Sequence, residues 1–202
     1  MNVYSNSTTG SLTAGGVANR VLRNTYALLA LTLGFSALTA GVSVALNLPH
    51  PGLLLTLAGY FGLLYLTARF RDRGLGLLMV FGLTGFMGYT LGPILSAYLG
   101  LPGGGQIVMT AFAATGIIFL ALSGYALISR RDFSFMGAFL MIGILVGFLA
   151  GLGAVVFGLS SLALAVSAMF VLLMSGLILY ETGNIIHGGE TNYIMATVTL
   201  YV

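Results

Sequence analysis

From Gly74 to Ser129 the chain reads GLGLLMVFGLTGFMGYTLGPILSAYLGLPGGGQIVMTAFAATGIIFLALSGYALIS, 56 residues without one formally charged side chain. A helix that crosses the ~30 Å hydrocarbon core of a bilayer needs about 20 predominantly apolar residues. The run holds two such helices, and it breaks near its middle at Gly100-Leu101-Pro102-Gly103-Gly104-Gly105, where Gly and Pro favour a turn. The pattern recurs on either side. Asn24 to Ala68 is 45 residues without a formal charge, broken at Asn47-Leu48-Pro49-His50-Pro51-Gly52. Phe133 to Tyr180 is 48, broken more softly at Gly158-Leu159-Ser160-Ser161. The runs predict six transmembrane helices, over 25–47, 52–69, 75–99, 106–128, 134–157 and 162–186, joined as three hairpins. A seventh begins near Thr191 and is still running at Val202. Its twelve residues make about 18 Å of helix at 1.5 Å per residue, so the sequence is expected to stop inside that helix.

Composition leads to the same class. Of 202 residues, seven are Arg and four are acids; 5% of the chain is charged and 58% is apolar. Soluble domains carry about 25% charged residues, and a hydrated surface cannot be assembled from eleven charges. Mean hydropathy is +1.07. The fold class is therefore all-α, a polytopic membrane helix bundle. No cysteine is present, which excludes disulfides, thiolate metal sites and cysteine nucleophiles. The net +3 reads as a topology signal rather than a nucleic-acid footprint.

The Arg residues set the orientation. Arg20 and Arg23 precede helix one, Arg69, Arg71 and Arg73 follow helix two, and Arg130 and Arg131 follow helix four. With the N-terminus in the cytoplasm all seven fall on the cytoplasmic side, as the positive-inside rule requires. Residues 1–19 are polar, uncharged and rich in Ser, Thr, Asn and Gly, a composition that favours a disordered cytoplasmic tail. Residues 20–202 read as one transmembrane bundle domain. No basic n-region opens the chain, which argues against a cleaved signal peptide.

Glycine numbers 30, about twice the usual 7%. In lipid, small residues let helix backbones approach closely. Gly88 and Gly92 make one GxxxG step, just before Pro93, and Gly143, Gly147 and Gly151 make two overlapping ones. Tight helix packing is the reading; no GxxxxGK[ST] or strand-flanked GxGxxG occurs.

Glu181 closes the apolar run of helix six. An acid within a transmembrane bundle is by default a functional-site hypothesis. An interfacial acid paired with Arg69 or Arg23 and a pathway carboxylate that senses ions or protons both remain open. His187, before Gly188-Gly189, suits a helix C-terminus; capping is one role and pH sensing the sharper one. Glu190 and Asp132 each sit near the start of a following helix, where negative charge suits the dipole. His50 lies between two prolines in a loop. Glu181, His187 and Glu190 do not share one helical face, so a metal cluster is not expected, and no catalytic set points to an enzyme or a cofactor.

The stretch Glu181-Thr182-Gly183-Asn184-Ile185-Ile186-His187-Gly188-Gly189-Glu190-Thr191-Asn192-Tyr193-Ile194 resembles the C-terminal signature of the Bax-inhibitor (TMBIM, LifeGuard) family, and its wording is closest to the bacterial YccA branch. Val21-Leu22-Arg23-Asn24-Thr25-Tyr26, Gly85-Phe86-Met87-Gly88-Tyr89 and Arg131-Asp132-Phe133-Ser134-Phe135 agree with it. The resemblance implies three hairpins around a central seventh helix in the bacterial inner membrane. It also implies one of two functions. The first is a membrane regulator that binds and modulates the AAA+ protease FtsH as a slow substrate or inhibitor. The second is a pH-sensitive calcium leak built on two acids, of which Glu181 matches the first by position. The second acid would follow Val202. A lone carboxylate is a weak calcium candidate, since calcium prefers several oxygen ligands.

The charge pattern predicts that a cysteine placed at Arg71 is labelled from the cytoplasmic side. Labelling of Arg71→Cys from the outer side alone would invert the topology.

Overall fold

The computed structural model describes the backbone of residues 6–202 and the side chains from Asn19 onward. Of the disordered tail expected over residues 1–19, residues 1–5 lie outside the described residues, and from Asn6 onward the backbone is helical rather than irregular. Among the described residues seven helices follow in order: α1 (Asn6–Ala45), α2 (Leu53–Phe70), α3 (Gly74–Leu99), α4 (Gly104–Ser129), α5 (Met136–Val156), α6 (Ser160–Ile186) and α7 (Tyr193–Tyr201). Six contain apolar stretches of membrane-spanning length, the first of them Asn19–Ala45. The chain is a polytopic helical membrane protein. Helix one, expected to begin at residue 25, already runs through Arg20 and Arg23; neither residue breaks a helix, and both side chains are exposed. Each later boundary lies within about two residues of the Gly/Pro and Arg punctuation, the usual scatter of helix ends.

Two compact units divide the chain, Met1–Ala114 with Glu190–Val202, and Thr115–Gly189. In the first, α3 packs against both α1 and α2, and α7 packs against α1 and α3. The principal partner of α1 is thus α3, not its sequence neighbour α2. The reason lies in a stripe of small side chains. On α1 the buried positions Val21, Thr25, Leu28, Leu29, Thr32, Ser36, Ala40 and Ser43 recur every three or four residues, the spacing of one helical face. Facing them, α3 presents Gly88 and Gly92. A Cβ at Gly88 would collide with Thr39 Oγ1 and the Ser36 carbonyl, and one at Gly92 with the Ser43 side chain.

Pro93 lies inside α3. It has no N–H, so the carbonyl of Tyr89, four residues back, loses its helical donor. Ser43 Oγ of α1 donates to that carbonyl at 3.0 Å. A freed backbone acceptor that water cannot reach must find such a partner. Tyr89 also ties the α1–α2 loop, its hydroxyl donating to the Pro49 carbonyl at 2.9 Å.

The second unit is built on the α5·α6 pair. Added Cβ atoms at Gly143 and Gly147 would lie 2.6 Å from Leu173 Cδ2 and 2.9 Å from Met169 Cε; at Gly151 the neighbour is Val166 Cγ1 at 3.5 Å. The α6 residues therefore sit directly on the glycine backbone of α5. The outward faces carry large apolar side chains, among them Phe139, Leu164 and Leu172, as lipid contact requires.

Ser43→Ala should destabilise the protein by about 1–3 kcal/mol, the cost of a buried acceptor left unpaired, measured by unfolding in mixed micelles. Gly34→Ala, where an added Cβ meets nothing within 4 Å, should change stability by no more than about 0.5 kcal/mol. Equal effects at the two positions would contradict this packing.

Candidate functional site

The C-terminal turns of α6 carry the residues singled out by charge. Glu181 is half-buried there. It lines a cavity of about 550 Å³ between α5 and α6, with Ser134, Gly137, Leu140, Leu177 and Tyr180 among the other walls. Apolar walls with one carboxylate and two hydroxyl-bearing side chains make a site for a cation, a proton or water more readily than for an anion. Arg23 stands on α1 and Arg69 in the last turn of α2.

One turn and a half further on, the helix ends at His187. Gly188 takes φ +77°, a left-handed conformation that glycine adopts without steric cost. The Gly188 N–H donates to the Ile185 carbonyl at 3.2 Å and the Gly189 N–H to that of Asn184 at 2.9 Å. This pair of reversed bonds satisfies carbonyls that a helix end leaves open. His187 Nδ1 lies 2.8 Å from the Gly183 carbonyl. A carbonyl can only accept, so Nδ1 carries the hydrogen.

Asp132, in the α4–α5 loop, accepts from the Ser134 N–H at 2.8 Å. That bond, then the Ser134 side chain and the nearby His187, hold the Asp132 carboxyl below its usual range. It therefore gives up its proton more readily than a free aspartic acid. Asp132, Ser134, Asn184 and His187 share a second cavity of about 160 Å³. Among the described residues no three His, Asp or Glu side chains converge as metal ligands.

The start of α7 lies two residues later than expected, and the reason is Asn192. Its Oδ1 accepts from the Ile194 and Met195 N–H groups at 3.0 and 3.2 Å, which caps the helix. Its Nδ2 donates to Asp72 Oδ1 at 2.9 Å and to the Arg71 carbonyl at 3.2 Å. Its own N–H donates to Glu190 Oε1 at 2.7 Å. One side chain thus both starts α7 and fastens it to the α2–α3 loop. Glu190 serves this turn rather than the helix itself. Sequence reasoning quoted Asn192 within the signature but gave it no role; an Asn directly before an apolar run is an N-cap signal.

Inside the first unit, α7 inserts hydroxyls among those of α1 and α3. Thr197 Oγ1 lies 3.3 Å from the Thr25 carbonyl. Tyr201 donates to the Thr84 carbonyl at 3.3 Å and meets Ser36 Oγ at 2.6 Å. With its hydrogen used on Thr84, Tyr201 receives that of Ser36. Thr25 Oγ1 is buried without a hydrogen-bond partner among the described residues.

Residues 18–202 match the sequence model of a family described as inhibitor of apoptosis-promoting Bax1. An uncharacterized protein of Pseudomonas aeruginosa is 54% identical over 90% of this chain and 82% of its own. An Escherichia coli K12 protein named modulator of FtsH protease YccA is 51% identical, covering 91% of this chain and 84% of its own. Its counterpart in Escherichia coli O6:H1, named inner membrane protein YccA, matches to the same degree.

Asn192→Ala should cost about 0.5–2 kcal/mol, the usual range for a lost helix cap. Amide hydrogen exchange at Ile194 and Met195 should quicken selectively. Unchanged exchange at those two amides would remove Asn192 from the role of anchoring α7.

Proposed function

The chain belongs to the Bax-inhibitor family, and from that membership we propose that it is an integral inner-membrane regulatory protein that binds the AAA+ protease FtsH and modulates it as a slow substrate or inhibitor. The observation that carries the reading is the likeness, along nearly the whole chain, to the Escherichia coli protein named a modulator of that protease. The Arg distribution supports an N-terminus in the cytoplasm, which puts residues 1–19 on the side from which an AAA+ protease engages a substrate. Such a protease needs an unstructured segment before it pulls. The loops between α2 and α3 and between α4 and α5 are short, so the engagement falls to the N-terminal segment, whose helical part from Asn6 must unwind first.

A second reading is a pH-sensitive calcium or cation leak gated at Glu181, with Arg23 or Arg69 as ion-pair partner and His187 as a further sensor. The observation that favours it is the cavity beside the Glu181 carboxylate. Glutamine keeps the shape of that side chain but cannot titrate.

Deleting residues 2–18 while keeping Arg20 and Arg23 should preserve insertion and FtsH association but slow turnover in a chase. Equal half-lives at equal expression would remove the tail from the mechanism. For the second reading, any calcium flux in proteoliposomes should lose its pH dependence in Glu181→Gln; flux that titrates as before would exclude Glu181 as the sensor.

A further inference from the structure

The smaller cavity, at the end of α6, brings His187 together with Asp132 and Asn184, a combination that neither reading uses. Its opening carries Asp132 and His187, both exposed to water, outside the membrane-spanning helices. Two features prepare these side chains. The imidazole gives its Nδ1 hydrogen to the Gly183 carbonyl at 2.8 Å, which fixes the ring's orientation and, in the neutral ring, leaves the lone pair on Nε2. Histidines that ligate metals are fixed in this way by a carbonyl or carboxylate on the other nitrogen. The carboxylate is anchored to Ser134, its Oδ1 accepting from the Ser134 N–H at 2.8 Å. A third group lines the same space. Asn184 holds its Oδ1 so close to Gly189 that a Cβ there would collide with it, so glycine at that position leaves room for the amide oxygen.

We propose that this cavity is a binding site for a divalent transition-metal ion of the zinc class, held by Asp132 carboxylate oxygen, His187 Nε2 and Asn184 Oδ1, with water in the remaining positions. The donor set selects the class. Calcium and magnesium take oxygen ligands, whereas imidazole suits zinc, iron, copper and nickel. The site adjoins the larger cavity, with Ser134 and Tyr180 as shared walls, but Glu181 lines only the larger one. Its occupancy would join the α4–α5 loop to the C-terminal turn of α6, stabilising the fold that binds the ion over the one that does not.

The chain has only two histidines, His50 and His187, so the test can be read on the wild-type protein. With 15N-labelled histidine and the full chain in nanodiscs of uncharged lipid, zinc chloride should move the Nε2 resonance of one ring. That response should vanish in His187→Gln and persist in His50→Gln. His50 is the built-in control, since its Nδ1 accepts from the Gly52 N–H at 3.0 Å. Asp132→Asn keeps an acceptor for Ser134 but loses the charge, and should weaken zinc binding at least tenfold by titration calorimetry. Calcium chloride at the same concentration should move neither ring. Zinc that moves neither ring, a response that follows His50, or Asp132→Asn binding as tightly as wild type would each overturn the proposal.

Discussion

A carbonyl without water is the constraint from which most of this structure follows. In the hydrocarbon core every backbone polar group must be satisfied within the protein. Pro93 leaves the Tyr89 carbonyl open in the middle of α3, and Ser43 of α1 closes it. For that hydroxyl to arrive, α1 and α3 must touch at backbone distance, which is what Gly88 and Gly92 permit. Replacing either glycine by a larger residue would separate the helices and reopen the acceptor at once. The proline, the serine and the glycines therefore form one device rather than three separate features.

The same economy of polar groups governs α7. The helix carries hydroxyls at Tyr193, Thr197, Thr199 and Tyr201. It is held at one end by the Asn192 cap, and towards the other by Tyr201 against α1 and α3. The hydroxyls exchange hydrogen bonds with backbone carbonyls, so polar side chains stand in the interior without an ion pair. Such a seam gives α7 a defined seat while leaving the charged residues of α6 to the other unit, where cavities of two sizes meet Glu181 and the Asp132–His187 pair.

Much of the architecture was legible because charge is so scarce. Three uncharged runs, each with a Gly/Pro break, placed six spans, and the residues of the C-terminal signature led to the family. What the sequence left open was partnership. GxxxG spacing marks Gly88 and Gly92 as small, yet nothing in that spacing names α1 as their neighbour, and hairpin connectivity suggested α2 for α1 instead. The bond from Ser43 to Tyr89 joins residues 46 positions apart, and no periodicity encodes such a pair. Asn192 was readable as a cap but not as the tie to Asp72, for the same reason. At the candidate site, Glu181 was visible as an acid closing an apolar run and His187 as an imidazole at a helix end; the cavities beside them depend on how α5 and α6 pack.

The central claim is functional, that a membrane bundle with this likeness acts on a protease rather than conducting ions. Its most direct test is reconstitution of purified FtsH in proteoliposomes with a second membrane substrate, with and without the full-length protein. The account predicts that degradation of that substrate slows in proportion to the protein added, while the protein itself is consumed slowly. A rate unchanged at a large molar excess, with both proteins in the same bilayer, would contradict it.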